Sequence, residues 1–204
     1  MLKIGITGNI GSGKTTISKI FEVLGIPVFY ADDEAKKVMV NDAILIDELK
    51  QAFGAESYFE DGSLNRKYIA GIVFNNPAEL EKLNAIVHPA TFRAFDNWLK
   101  QVKDVPYILK EAALLFESDS YKLCDQTIMV TAPLELRIER VMLRDDLSKD
   151  EILKREARQF SEEKKLGLAN FVIKNDNTAL VIPQVLALHE KFISSKLASS
   201  SVHA

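Results

Sequence analysis

The residues with the plainest chemistry lie near the start of the chain, where Gly8-Asn9-Ile10-Gly11-Ser12-Gly13-Lys14-Thr15 fits the pattern G-x-x-x-x-G-K-[ST]. These residue types at this spacing can hold a run of phosphates. Glycines let the backbone turn so that its N–H groups converge on phosphate oxygens, and the positive end of a following helix adds a favourable field. Lys14 brings a point charge to the terminal phosphates. Thr15 can place its hydroxyl on a Mg²⁺ that keeps most of its water and takes further oxygens from the nucleotide. Asn9, Ile10, Gly11, Ser12, Gly13, Lys14, Thr15 and Thr16 are the candidate ATP contacts; Lys14 is also a candidate catalytic group and Thr15 the candidate metal ligand.

Phosphoryl transfer also needs an acceptor and groups that spread the charge passing between the two partners. Asp32 and Asp33 follow the second strand candidate, where a doubly wound sheet gathers its ligands. A carboxylate there can orient an acceptor hydroxyl and take its proton; alternatively Asp32 caps the helix that begins Asp-Glu-Ala-Lys-Lys. Five of the seven arginines fall between Arg137 and Arg158, and Arg137, Arg140 and Arg144 recur at i, i+3 and i+7 on one helical face. Such a face can act as a mobile lid over a nucleotide, or it can be a solvated surface paired with the acids mixed into it, Glu139, Asp145, Asp146, Asp150, Glu151 and Glu156. His88 beside Pro89 could meet a substrate phosphate or only serve packing. The aromatics Tyr58, Phe59, Tyr68, Phe74, Phe92, Phe95 and Trp98 read as core. Ile173-Lys174-Asn175-Asp176 has the letters of a guanine reader in the wrong order, which argues against guanine specificity.

The elements that must position these groups can be read from periodicity. Strands are expected at 2–7, 28–30, 107–109, 127–130 and 171–173, and a helix from Lys14 to Leu24. The strands alternate with helical patterns long enough for right-handed crossovers, which implies an α/β fold with a parallel sheet flanked by helices. About 75 residues separate the second and third strands, far more than the ~12 a crossover needs, so a helical subdomain is inserted there. The expected division is a core of 1–32, 105–132 and 166–197, an acceptor-binding insertion at 33–104, a lid at 133–165 and a disordered tail at 198–204. Within the lid, a helix begins at Pro133 and a second at Ser148, where Ser-Lys-Asp-Glu has the form of a capping box. The chain has 204 residues, 47% of them hydrophobic, and a formal net charge of -3, which argues against a nucleic-acid or anionic-membrane binder. One cysteine, no signal-peptide pattern and no apolar run of about 20 residues point to the cytoplasm. Oligomeric state is left open.

Six segments in a fixed order add what spacing cannot. These are Gly-Ile-Thr-Gly-Asn-Ile-Gly-Ser-Gly-Lys-Thr-Thr (5–16), Gly-Ile-Pro-Val-Phe-Tyr-Ala-Asp (25–32), Ile86-Val87-His88-Pro89, Leu114-Leu115-Phe116-Glu117, Arg144-Asp145 and Val172-Ile173-Lys174-Asn175. The set closely resembles the dephospho-coenzyme A kinases over nearly the whole chain. The resemblance implies transfer of the ATP γ-phosphoryl group to the ribose 3′-hydroxyl of dephospho-coenzyme A, with Mg²⁺. It implies Asp32 as base, Arg140 (catalytic) and Arg144 on the lid, Asn175 at the adenine side, and Asp32, Lys36, Arg66, His88, Glu111 and Phe116 toward the acceptor. Departures from the pattern are Tyr30 for an acid, Lys36 for an arginine, Glu111 with Ala113 for Asp-x-Pro, and Asn170 for an acid. Two alternatives share the loop. One is a nucleoside or nucleotide kinase; the other is a non-catalytic ATP-switched regulator, which needs no acceptor-side base.

Overall fold

The computed structural model describes residues 1–74 and 76–200. In chain order the elements are β1 (Leu2–Thr7), α1 (Lys14–Val23), β2 (Val28–Tyr30), α2 (Ala31–Asn41), α3 (Ala43–Phe53), α4 (Arg66–Val73), α5 (Pro77–Gln101) and β3 (Tyr107–Glu111). They continue with β4 (Gln126–Thr131), α6 (Leu134–Asp145), α7 (Lys149–Glu156), α8 (Glu162–Leu168), β5 (Phe171–Lys174) and α9 (Val181–Ser200). The chain forms two compact units. One is Met1–Tyr30 together with the chain from Lys103 onward, and the other is Ala31–Val102.

The first unit is built on a five-stranded sheet in the order β2-β3-β1-β4-β5, with every pairing parallel. Parallel strands are covered on both faces and therefore carry apolar residues with little alternation, as at Tyr107, Ile108 and Leu109 of β3, a strand buried at all five positions including Lys110 and Glu111. On one face Ile4 and Ile6 of β1 join Tyr107, Leu109, Ile128, Val130 and Ile173, and α1 (Ile17, Phe21) and α9 (Val185, Phe192) cover them. Tyr107 anchors this face: its ring meets Phe21 and Phe192 edge-on, and its hydroxyl lies 2.7 Å from His189 Nδ1. On the opposite face Gly5 leaves room that Leu115 and Cys124 fill, and a Cβ there would press on both. β1 and β2 have the expected bounds, β3 and β4 run two residues longer than periodicity suggests and β5 one, and α8 is an additional helix. Helix α9 starts at Val181 and runs to Ser200, past residue 197, the expected limit of the core before the disordered tail; residues 201–204 of that expected tail lie outside the described residues.

The second unit is helical. Asp42, Asn65 and Asn76 each cap a helix, accepting from the N–H groups of Leu45, Tyr68 and Glu79, and Pro77 occupies the first turn of α5. Val38, Leu45, Leu49, Phe53, Tyr58, Ile69, Val87 and Ala90 form its core. Of the aromatics expected inside, Tyr58 and Phe95 are buried, whereas Phe59 and Phe74 are more than half exposed. Pro89 lies inside α5 and withholds the N–H that would otherwise close on the Ala85 carbonyl. Helix α2 begins at Ala31, immediately after β2, so Asp32 sits in its first turn and is not its cap.

Burial of Cys124 pushes its thiol from an ordinary 9.0 up to about 11. A raised folded value means that the neutral thiol is the form the fold favours. This contribution to stability is complete below pH 9.0 and is lost as pH rises through about 11. At pH 7.5 the thiolate fraction should fall roughly 100-fold below that of a free cysteine, and thiol labelling should slow in proportion. A labelling rate equal to that of free cysteine would show that this face of the sheet opens readily.

Candidate functional site

The phosphate loop connects β1 to α1 at the carboxyl edge of the sheet. Gly11 (φ 79°) and Gly13 (φ 89°) are both left-handed, a conformation that costs a side-chain-bearing residue free energy. Space is the second reason for glycine. A Cβ on Gly11 would collide with the Arg137 carbonyl, and one on Gly13 with the Asn175 amide. Gly13 caps α1 without any side-chain hydrogen bond, so the first-turn N–H groups of the helix are left for a ligand. Asn175 Nδ2 donates to the Ser12 carbonyl at 2.8 Å, and the Ser12 N–H closes a turn on the Asn9 carbonyl at 3.0 Å. Thr15 and Thr16 are exposed, on the first turn of the helix.

Beside the loop stands Glu111, the last residue of β3 and nearly buried. Its Oε1 lies 3.6 Å from Lys14 Nζ and accepts from Thr15 Oγ1 at 3.4 Å. Glu111, expected on the acceptor side, thus meets Lys14 and Thr15 of the loop. Phe116, also expected there, is buried, with its ring centroid 5.4 Å from that of Tyr121.

The three arginines read as one face have three different environments. Arg137 is buried and holds Glu156 in a two-pronged pair at 2.7 and 2.9 Å while donating to the carbonyls of Ala132 and Ile10. It is a structural clamp, so for this residue the paired alternative holds. Arg140 donates through Nη2 to the Asn175 carbonyl at 3.0 Å and to Asn177 Oδ1 at 2.7 Å, and its buried Nη1 has no hydrogen-bond partner among the described residues. Arg144 is exposed and paired with Asp145.

Spacing gave no sign of a second group of contacts. The Ser148 capping box is present, and the segment after α7 folds against the loop. Asn9 Nδ2 donates to Glu156 at 2.8 Å and to the Phe160 carbonyl at 3.2 Å, and the Ile10 N–H donates to Gln159 Oε1 at 2.8 Å. Lys165 is fully buried; it pairs with Glu117 at 3.0 Å and donates to the Ala113 carbonyl at 3.1 Å, and burial draws its ammonium below the ordinary lysine value. Lys165 sits in the polar run Glu-Glu-Lys-Lys, which reads as a solvated face.

In the helical unit, Asp32, Lys36 and Arg66 are exposed; Lys36 pairs with Asp33 at 2.7 Å, and His88 stacks on Phe92 within α5. No helix among the described residues is long and apolar enough to cross a membrane.

Breaking the Arg137–Glu156 pair from one side leaves a charge in a largely desolvated place. Arg137→Met should cost about 3–5 kcal/mol in a denaturant titration, and adding Glu156→Leu should restore part of that loss. A loss in the double variant equal to the sum of the Arg137→Met and Glu156→Leu losses would mean that the two side chains act independently.

Comparison with known proteins places this geometry in a family. Residues 2–180 match the family model described as dephospho-CoA kinase. A dephospho-CoA kinase of Bacteroides fragilis (strain YCH46) is 41% identical over 187 residues, covering 92% of this chain and 91% of that protein. One of Salinibacter ruber is 43% identical over 180 residues, 87% of this chain and 90% of that protein. Among solved structures, TT1252 from Thermus thermophilus superposes with a TM-score of 0.82 at 36% identity, covering 93% of this chain and 96% of that one. A dephospho-CoA kinase from Campylobacter jejuni gives a TM-score of 0.69 at 26% identity, with 95% and 98% covered.

Proposed function

The chain belongs to the dephospho-CoA kinase family, and from that premise we propose that it works in the cytoplasm, moving the γ-phosphoryl group of ATP onto the ribose 3′-hydroxyl of dephospho-coenzyme A. The observation that carries this is the uncapped N-terminus of α1, with Lys14 and Glu111 beside it. Backbone N–H groups and the helix field favour the β- and γ-phosphates there, and Lys14 exchanges part of its attraction to Glu111 for the terminal phosphate. Arg140 adds its unpaired Nη1 to the charge that builds on the transferred group, and Arg144 can swing in from the surface. Asn175, which fixes Ser12, stands at the adenine side.

Mg²⁺ fits the hard oxygens available, the Thr15 hydroxyl and the Glu111 carboxylate 3.4 Å away. When bound, it would neutralise charge on the phosphate oxygens. Asp32 is the base for the acceptor hydroxyl. It follows Tyr30 by two residues, and Tyr30 is the register partner of Glu111. Lys36, Arg66 and His88 are the acceptor-binding groups of the helical unit, where Lys36 offers a point charge in place of a two-pronged guanidinium.

Incubation with ATP, Mg²⁺ and dephospho-coenzyme A should release ADP and give a product heavier by one phosphoryl group by mass spectrometry. Comparable turnover of AMP, CMP or uridine would point to a nucleoside or nucleotide kinase; nucleotide-dependent protein binding without any transfer would point to a switch. Asp32→Asn should lower kcat by about 100-fold or more while ATP affinity is retained. Unchanged kcat would remove Asp32 from the role of base.

A further inference from the structure

We propose that Gln159 is a positioning residue for phosphoryl transfer, an amide strut that orients the phosphate loop through the peptide between Asn9 and Ile10. Its side chain spans two backbone groups: Oε1 accepts from the Ile10 N–H at 2.8 Å, and Nε2 donates to the Ala113 carbonyl at 3.2 Å. Since one partner can only donate and the other only accept, the orientation of the amide is fixed by the partners themselves.

The consequence for the loop follows from peptide planarity. In a trans peptide the C=O and N–H point in opposite directions, and no cis peptide is present among the described residues. Holding the Ile10 N–H outward on Gln159 turns the Asn9 carbonyl inward, where it accepts the Ser12 N–H at 3.0 Å and closes the turn of the loop. The next peptide is fixed in the same way. Arg137 takes the Ile10 carbonyl at 3.2 Å, which aims the Gly11 N–H to the opposite side. Ile10 therefore spends both of its backbone polar groups on holding the loop, and its part in nucleotide binding is to direct the N–H groups that follow it.

A neutral amide suits this position better than the alternatives. A carboxylate could accept from Ile10 but could not donate to Ala113, and it would set a negative charge beside the phosphates. An apolar side chain would leave the Ile10 N–H without that acceptor and the Ala113 carbonyl with one donor fewer. The carboxylates that do lie close by, Glu111, Glu117 and Glu156, each face a cation: Lys14, Lys165 and Arg137 respectively.

The inference rests on ATP as the ligand of the loop, and the test separates it from the identity of the acceptor. The full chain, Gln159→Leu and Gln159→Glu are compared in steady-state kinetics, equilibrium MgATP binding and thermal unfolding. For Gln159→Leu we expect kcat/KM for ATP to fall about 10- to 100-fold, with KM for dephospho-coenzyme A within about twofold of the parent. For Gln159→Glu, protonation restores a group that both donates and accepts, so its kcat/KM for ATP relative to the parent should rise as pH is lowered from about 8 to about 5.5, while the Gln159→Leu ratio stays flat. A purely structural role would lower the unfolding temperature and weaken both substrates alike, without the pH recovery. Wild-type ATP kinetics in Gln159→Leu, equal loss for both substrates, or a flat ratio in Gln159→Glu would each overturn the proposal. Should the parent leave dephospho-coenzyme A unphosphorylated, the acceptor assignment fails, and MgATP affinity decides the role of Gln159: a loss supports it and an unchanged value overturns it.

Discussion

A protein that grips a polyanion with its own backbone must keep several amide N–H groups converging on one point and unclaimed by its own side chains. Such an arrangement is costly, because free N–H groups attract any acceptor in reach and a loop with room for a ligand also has room to collapse. Much of the first unit can be understood as a response to that constraint. The β1 strand is central and buried, α1 is covered by α9, and the left-handed glycines between them lie so close to Arg137 and Asn175 that there is no space for a side chain. The loop keeps its shape because its surroundings leave it no other.

Those surroundings come from distant parts of the chain. Arg137 and Gln159 hold the two polar groups of Ile10, Asn9 reaches Glu156 and Phe160, and Asn175 holds Ser12. A segment that reads as a lid is therefore also a wall. One part, made up of Arg137, Glu156, Gln159 and Lys165, pairs buried cations with half-buried carboxylates and supports the loop. Another, bearing Arg140 and Arg144, presents guanidinium groups with capacity to spare or open to solvent. The division follows position on α6: Arg137 lies in its first turn, within reach of the Ala132 carbonyl, whereas Arg144 lies in its last.

What could be read from the sequence follows from the range of the forces involved. The strand, glycine loop and helix from Leu2 to Val23 are local, and their residue types are dictated by backbone conformation, so they were legible. The parallel sheet was legible from spacing, and the capping box at Ser148 from four consecutive residues. The difference between Arg137 and Arg144 was not, because i, i+3 and i+7 spacing gives a shared face and says nothing of how deeply each turn is buried. Gln159 lies between helices, where there is no periodicity to read, and Lys165 was hidden by polar neighbours in a helix of seven residues. The start of α2 at Ala31 depended on β2 running into the helix without a turn, which no residue preference announces.

The register of the sheet has a consequence for how the chain comes to be folded. β1 is hydrogen-bonded to β3 from Leu2 opposite Tyr107, and to β4 from Ile4 opposite Gln126. During synthesis from the N-terminus, the first strand therefore emerges roughly 100 residues before either neighbour exists, at a rate of about 5–20 residues per second. The helices from Ala31 to Val102 can make their contacts within that interval, since those contacts lie within their own stretch of chain. The phosphate loop is made early and becomes rigid late: its sequence is complete after the first fifteen residues, but its last hydrogen bond must wait for Asn175.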